Sequence, residues 1–171
     1  MGKEYKENAE PDLFSETSEQ SRARTRAIRI LGNRQLSSRE MEKRLLARGE
    51  SEETAMDTVK WLEDIGAVND SEYAAAIVSH YTSKGYGVAR IRDELFKRGI
   101  PRDMWDETLQ KLDDVESEEA MLRFLDKKLR GSSDKEELRR ATDALRRRGF
   151  DYEDARSAVA RYLESIENTE D

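Results

Sequence analysis

The sequence predicts an all-α fold built from three tandem three-helix units, helix-turn-helix-like in outline, and three observations lead there. Arg-Gly occurs at Arg48-Gly49, Arg98-Gly99 and Arg148-Gly149, with a spacing of 50 residues each time. The apolar positions around each pair recur in the same register: Met41, Ile91 and Ala141; Leu45, Leu95 and Leu145; Val59, Leu109 and Val159; Leu62 and Leu112. The segments between breaks carry helical rather than alternating periodicity, and none reads as a convincing strand. Self-similarity at a fixed period means copies of one supersecondary unit, stacked or strung along the chain. Each copy is too small to bury much core alone, so neighbours must lean on one another.

Residues 1–20 carry Glu4, Glu7, Glu10, Asp12, Glu16 and Glu19 against Lys3 and Lys6, with Pro11 and few apolar groups, and read as a disordered acidic arm. The first unit spans 21–70. A helix starts at Ser21, shows Ala23, Ala27, Ile30 and Leu31 on one face, and stops at Gly32-Asn33. Ser37 and Glu40 have capping-box spacing, so a second helix is expected from about Ser38 to Arg48, ending at Gly49. Ser51, with Glu52 and Glu53 in the first turn, starts a third helix that turns Ala55, Met56, Val59 and Leu62 to the core and stops near Gly66.

The second unit spans 71–116. It follows Asn69-Asp70, runs through Tyr73, Ala74, Ile77, Val78 and Tyr81, breaks at Gly85-Tyr86-Gly87 and resumes as Val88 to Arg98. Pro101 suits the first turn of the next helix, which carries Trp105, Leu109 and Leu112. In the third unit, 117–166, Ser117 caps a helix with Leu122, Leu125 and Leu129. Ser133 and Glu136 repeat the capping-box spacing, and the last helix shows Ala155, Ala158, Val159 and Tyr162. Residues 167–171 are expected to be a disordered tail.

Composition narrows the function. With no Cys and one His there is neither a disulfide framework nor a Cys/His zinc site, so neither metal nor cofactor is expected. No apolar run has the length to cross a bilayer and the N-terminus lacks a signal-peptide core, so the expected location is the cytoplasm, without membrane contact. His80 is alone. The acidic pairs Glu52-Glu53, Asp113-Asp114 and Glu118-Glu119 fall at helix starts and loops, where they suit the helix dipole. No Gly-rich phosphate loop follows a strand. No catalytic residue is assigned, and an enzyme is not expected.

The net charge of −7 hides an alternation. Residues 21–50 hold nine Arg or Lys against three Glu, whereas 51–72 hold Lys60 alone against seven acids. The swing recurs as +3 for 73–98, −6 for 99–120, +5 for 121–150 and −5 for 151–171. Each unit is basic on its first two helices and acidic on its third. A third helix so charged is repelled by phosphates, which argues against base reading in the major groove. The second helices offer basic stripes: Arg39, Lys43, Arg44 and Arg48; Arg90, Arg92, Lys97 and Arg98; Arg139, Arg140, Arg146, Arg147 and Arg148. These stripes suit a phosphate backbone or an acidic protein surface, or else are neutralised by the acidic third helices. Trp61, Trp105, Tyr73, Tyr81 and Tyr162 fall at core spacing. Tyr86, between two glycines and near Arg90 and Arg92, either presents an exposed ring for stacking or folds back over its turn.

The stretch Ser83-Lys84-Gly85-Tyr86-Gly87-Val88-Ala89-Arg90-Ile91-Arg92-Asp93-Glu94-Leu95, closing with Lys97-Arg98-Gly99-Ile100, resembles the central signature of the bacterial RecX regulatory proteins. Matching residues flank it: Arg34, Ser37, Glu40, Leu45, Arg48 and Gly49; Gly66, Asp70, Tyr73 and Ala74; Leu145, Arg147, Arg148, Gly149 and Phe150. The resemblance covers about residues 21–163. It implies an elongated, curved array and a modulator, usually an inhibitor, of the RecA recombinase. Such proteins lie in the groove of the RecA filament on single-stranded DNA and suppress ATP hydrolysis, strand exchange and coprotease activity, within homologous recombination, DNA repair and the SOS response. A monomer is expected, with weak direct DNA contact because the net charge is acidic although many relatives are basic. Two departures stand out: Gln35-Leu36 occupies the place where a His often precedes the Ser, and the net charge is acidic. The expected central contact is Tyr86, Arg90, Arg92 and Arg98, extended by Arg44, Arg48, Arg147 and Arg148. The other classes are a direct DNA-binding protein and a helical-repeat scaffold for a different protein partner.

Overall fold

The computed structural model describes residues 18–109 and 114–168. Among these residues there are nine α-helices and no strand: α1 Ser18–Leu31, α2 Ser38–Leu46, α3 Glu52–Asp64, α4 Asp70–Ser83, α5 Val88–Lys97, α6 Asp103–Leu109, α7 Asp114–Leu129, α8 Lys135–Arg147 and α9 Tyr152–Glu167. Helix packing groups them in threes. α1, α2 and α3 pack on one another, α4 packs on α5 and α6, and α7 packs on α8 and α9, while α4 also meets α7. Each triplet has its own apolar cluster, centred on Leu45 in the first, Leu95 in the second and Leu145 in the third, all at 0% exposure. Burying one such leucine stabilises the fold by about 1.5–3 kcal/mol.

The Arg-Gly pairs are one local device repeated three times. Gly99 takes φ +72, its amide donates to Phe96 O at 3.0 Å, and the Ile100 amide reaches back to Leu95 O at 3.0 Å. Gly49, with the Glu50 amide on Leu45 O, and Gly149, with the Phe150 amide on Leu145 O, make the same pair of bonds. This is a Schellman ending, in which a left-handed glycine satisfies the last helical carbonyls. The residue after the glycine turns inward: Ile100 and Phe150 are buried, and in the first unit Glu50 instead meets Arg26 at 2.5 Å.

Caps fix the starts. Ser37 accepts from the Glu40 amide while Glu40 Oε2 accepts from the Ser37 amide, both at 3.1 Å, completing a capping box. Ser51 caps α3, Asn69 caps α4 and Asp151 caps α9 through their side chains.

Several boundaries depart from expectation for local reasons. α1 begins at Ser18 rather than Ser21, with Glu19 in its first turn receiving the Thr54 hydroxyl at 3.4 Å. α2 ends at Leu46, with Ala47 as C-cap, short of Arg48. Pro101 precedes α6 instead of entering its first turn. Ser117 lies inside α7, which already starts at Asp114. Asp134, not Ser133, caps α8, because its Oδ1 takes both the Glu136 and Glu137 amides at 3.0 and 2.9 Å. Met56, expected in the core, is 61% exposed. Leu112, residues 1–17 of the expected arm and residues 169–171 of the expected tail lie outside the described residues.

Candidate partner-binding surface

The break at Gly85-Tyr86-Gly87 exists because two backbones cross there. Gly87, the N-cap of α5, has no side chain with which to cap. Its amide donates to Arg148 O at 2.9 Å and the Ala89 amide donates to Gly149 O at 3.1 Å, so the Schellman turn of α8 satisfies the open N-terminus of α5. A Cβ on Gly87 would collide with the Gly149 carbonyl and stand 2.5 Å from Phe150 N. Glycine on both sides is what lets the second and third units approach.

Arg148 locks this crossing. Its Nη1 donates to Lys84 O at 3.2 Å and to Gly85 O at 3.1 Å, and the guanidinium lies 4.6 Å from the Phe124 ring centroid and 5.3 Å from that of Tyr86. Tyr86 is half-buried, its ring 5.5 Å from Tyr81 and its amide bonded to Tyr81 O at 3.0 Å. Of the two readings of Tyr86, the ring folded back over the turn is the one observed.

An equivalent junction joins the first two units, 50 residues earlier. Ser37 Oγ donates to Arg98 O, the Ser38 amide donates to Asp70 Oδ1 at 2.8 Å, and the side chain of Arg39 lies over Gly99. Arg98 Nη1 donates to the Tyr73 hydroxyl at 2.7 Å. Beside this junction runs a groove of about 890 Å³ in which Met56, Val59, Phe96, Ile100 and Pro101 supply apolar surface and Arg39, Lys60 and Arg102 contribute cations. Phe96 is 62% exposed. It was missed in the sequence, although its place directly after Leu95 puts it off the face of Ile91 and Leu95.

The eight arginine and tyrosine candidates therefore divide. Tyr86 and Arg148 are built into the second junction, and Arg98 into the first. Arg90 forms an ion pair with Glu94 at 3.0 Å. Arg44 is half-buried, and Arg48 bends back to Arg44 O at 3.1 Å. Arg92 and Arg147 are exposed on the outside of α5 and α8. Arg90 and Arg148 both lie over the Tyr86 ring, at 6.0 and 5.3 Å from its centroid, but the other five arginines do not join them in one cluster.

Neutralisation of the basic stripes runs within helices. Glu94 serves both Arg90 and Lys97, while Glu136 serves Arg139 and Arg140, and Asp143 also meets Arg139. Burial pushes the Glu94 carboxyl upward, but hydrogen bonds from Lys97 and Tyr81 and the charges of Lys97 and Arg90 outweigh it and leave the group below its ordinary range. The Arg139 hydrogen bond is the main cause that holds exposed Glu136 down to about 2. His80 is exposed, edge-on to Tyr81 at 5.4 Å. Among the described residues no group of acids or His is arranged to hold a metal ion, and no helix is long and apolar enough to cross a membrane.

Residues 69–109 match the family described as RecX, second three-helix domain. The chain is 34% identical over 143 residues to the Regulatory protein RecX of Xanthomonas axonopodis pv. citri, covering 81% of this chain and 86% of that one. It is 33% identical over 125 residues to the Regulatory protein RecX of Deinococcus radiodurans, covering 72% of this chain and 60% of that one. The fold is similar to the crystal structure of RecX from Lactobacillus salivarius, with a TM-score of 0.78 at 20% identity over 84% of this chain and 96% of that one.

Proposed function

The chain belongs to the RecX family of regulatory proteins, and from that premise we propose that it binds the RecA recombinase filament on single-stranded DNA and inhibits it, lowering ATP hydrolysis, strand exchange and coprotease activity. The observation that carries this reading is the span of the likeness, which runs through all three units rather than one. The relatives matched over 81% and 72% of the chain are named regulatory proteins.

The physical arrangement suits a polymeric partner. Three units joined through two equivalent junctions can touch successive protomers of a helical filament, so weak contacts repeated along the array add through avidity. Arg92 and Arg147, exposed and without a carboxylate partner among the described residues, are suited to acidic protein surfaces or phosphates, and the Met56–Phe96 groove supplies apolar area for a protein partner. A recombinase ATPase assay on single-stranded DNA with substoichiometric protein tests the proposal. Inhibition well below one protein per protomer is expected from blocked filament growth; no effect at saturating protein removes it.

A further inference from the structure

Against the second junction lies a cavity of about 220 Å³ whose lining includes Lys84, Arg123, Lys127 and Arg148 together with Phe124, and no carboxylate. Arg148 is already fixed there: one guanidinium nitrogen holds the carbonyls of Lys84 and Gly85, and its face rests on Phe124. Among the described residues no carboxylate pairs with Lys84, Lys127 or Arg148. Arg123 meets Glu119 at 3.1 Å, but the two side chains are 68% and 61% exposed, so solvent screens that pair.

The cluster is not inherited from the repeat. Fifty residues before Lys84 and Arg148 stand Arg34 and Arg98, and Arg98 is turned to the Tyr73 hydroxyl. The counterparts of Arg123, Phe124 and Lys127 in the preceding unit, 48 residues earlier, are Ala75, Ala76 and Ser79. Three of the five side chains that make the cavity cationic and aromatic therefore belong to the second junction alone.

Four cations around so small a space repel one another, and a ligand with several anionic oxygens relieves that repulsion better than a single carboxylate. We propose that this cavity binds a phosphate group, supplied either by the backbone of a single-stranded nucleic acid or by a small free phosphate, with Arg148 as the fixed donor and Lys84, Arg123 and Lys127 closing around it. The inference goes beyond the recombinase reading and does not depend on it.

The test uses the full chain with two probes, a fluorescein-labelled single-stranded oligothymidylate followed by anisotropy and inorganic phosphate followed by amide NMR shifts. The triple variant Lys84→Gln/Arg123→Gln/Lys127→Gln removes exposed charges only and leaves Arg148 to hold the junction. A matched triple, Arg29→Gln/Lys135→Gln/Arg156→Gln, removes the same charge from exposed positions outside the cavity and the basic stripes. If a nucleic-acid backbone is the source, the cavity triple weakens oligonucleotide binding by about tenfold or more and flattens its salt dependence, while the matched triple changes it by less than about threefold. If free phosphate is the source, phosphate shifts the amides of Lys84, Gly85 and Phe124 in the parent chain and not in the cavity triple, with oligonucleotide binding unchanged. Equal losses of oligonucleotide binding from both triples, or unchanged oligonucleotide binding in the cavity triple together with no response of those amides to phosphate, overturns the site.

Discussion

Ser37 and Gly87 stand 50 residues apart at the N-caps of α2 and α5, and each binds the carbonyl of the arginine that closes the second helix of the following unit. Ser37 does so with its hydroxyl on Arg98, and Gly87 with its own amide on Arg148 at 2.9 Å. One junction is made through a side chain and the other by direct backbone contact, which is why the second position tolerates no Cβ.

Gly87→Ala is therefore expected to separate the second and third units. Gly87 has φ −83, so alanine meets no dihedral strain there, only the collision with Gly149 and Phe150. Overpacking of this kind costs about 1–3 kcal/mol. Gly49→Ala is the converse control: φ is +87 and the space is open, so only the left-handed conformation is penalised, by about 1–2 kcal/mol. Thermal unfolding should show the third unit melting separately in Gly87→Ala and not in Gly49→Ala.

Ser37→Ala removes the α2 cap and the bond to Arg98 O together. A lost cap costs about 1 kcal/mol, and the uncovered carbonyl adds about 1 kcal/mol more. Urea midpoints should fall accordingly, and Ser37→Thr should recover part of the loss by restoring the hydroxyl.

Arg148→Gln should lower stability by roughly 1.5–3 kcal/mol, because a charged donor leaves two carbonyls and two rings at once. Arg92→Gln, on the exposed face of α5, should stay within about 0.5 kcal/mol of the parent. For recombinase inhibition the order reverses if the proposed function holds: Arg92→Glu/Arg147→Glu should weaken it while circular dichroism is unchanged. Full inhibition by that double variant would remove both residues from the partner surface.

Glu94 gives a pH signature. Its folded pKa lies below the ordinary 4.5, so its contribution is present above that value and is lost as pH falls through the depressed folded value. Denaturant midpoints should drop between pH 7 and pH 3 in the parent. In Glu94→Gln the pH 7 midpoint should start lower and the fall should be shallower. The Glu136 carboxyl should titrate near 2 by NMR and return toward 4.5 in Arg139→Gln.

Much of the architecture was legible because it is written in local spacing. The capping box at Ser37 and Glu40, the Schellman glycines and the leucines at 45, 95 and 145 all act within one helical turn or along one helix face. The expectation for Met56 fails for a related reason: it is apolar and adjacent to Ala55, yet it stands about 100° around the helix from Ala55, off the stripe that buries Ala55, Val59 and Leu62, and it faces the groove with Phe96. The candidate surface was legible only as composition.

By itself the sequence determined three helical triplets of alternating charge, since period, caps and left-handed glycines depend on neighbours three to five residues away. The tertiary structure decided which cations remain available. Arg148 and Arg92 are indistinguishable as letters in a basic stripe, but Arg148 reaches residues 63 and 64 positions away while Arg92 faces solvent. Whether a charge is held inside a junction or offered to a partner depends on contacts between segments far apart in the chain, and no local periodicity encodes those.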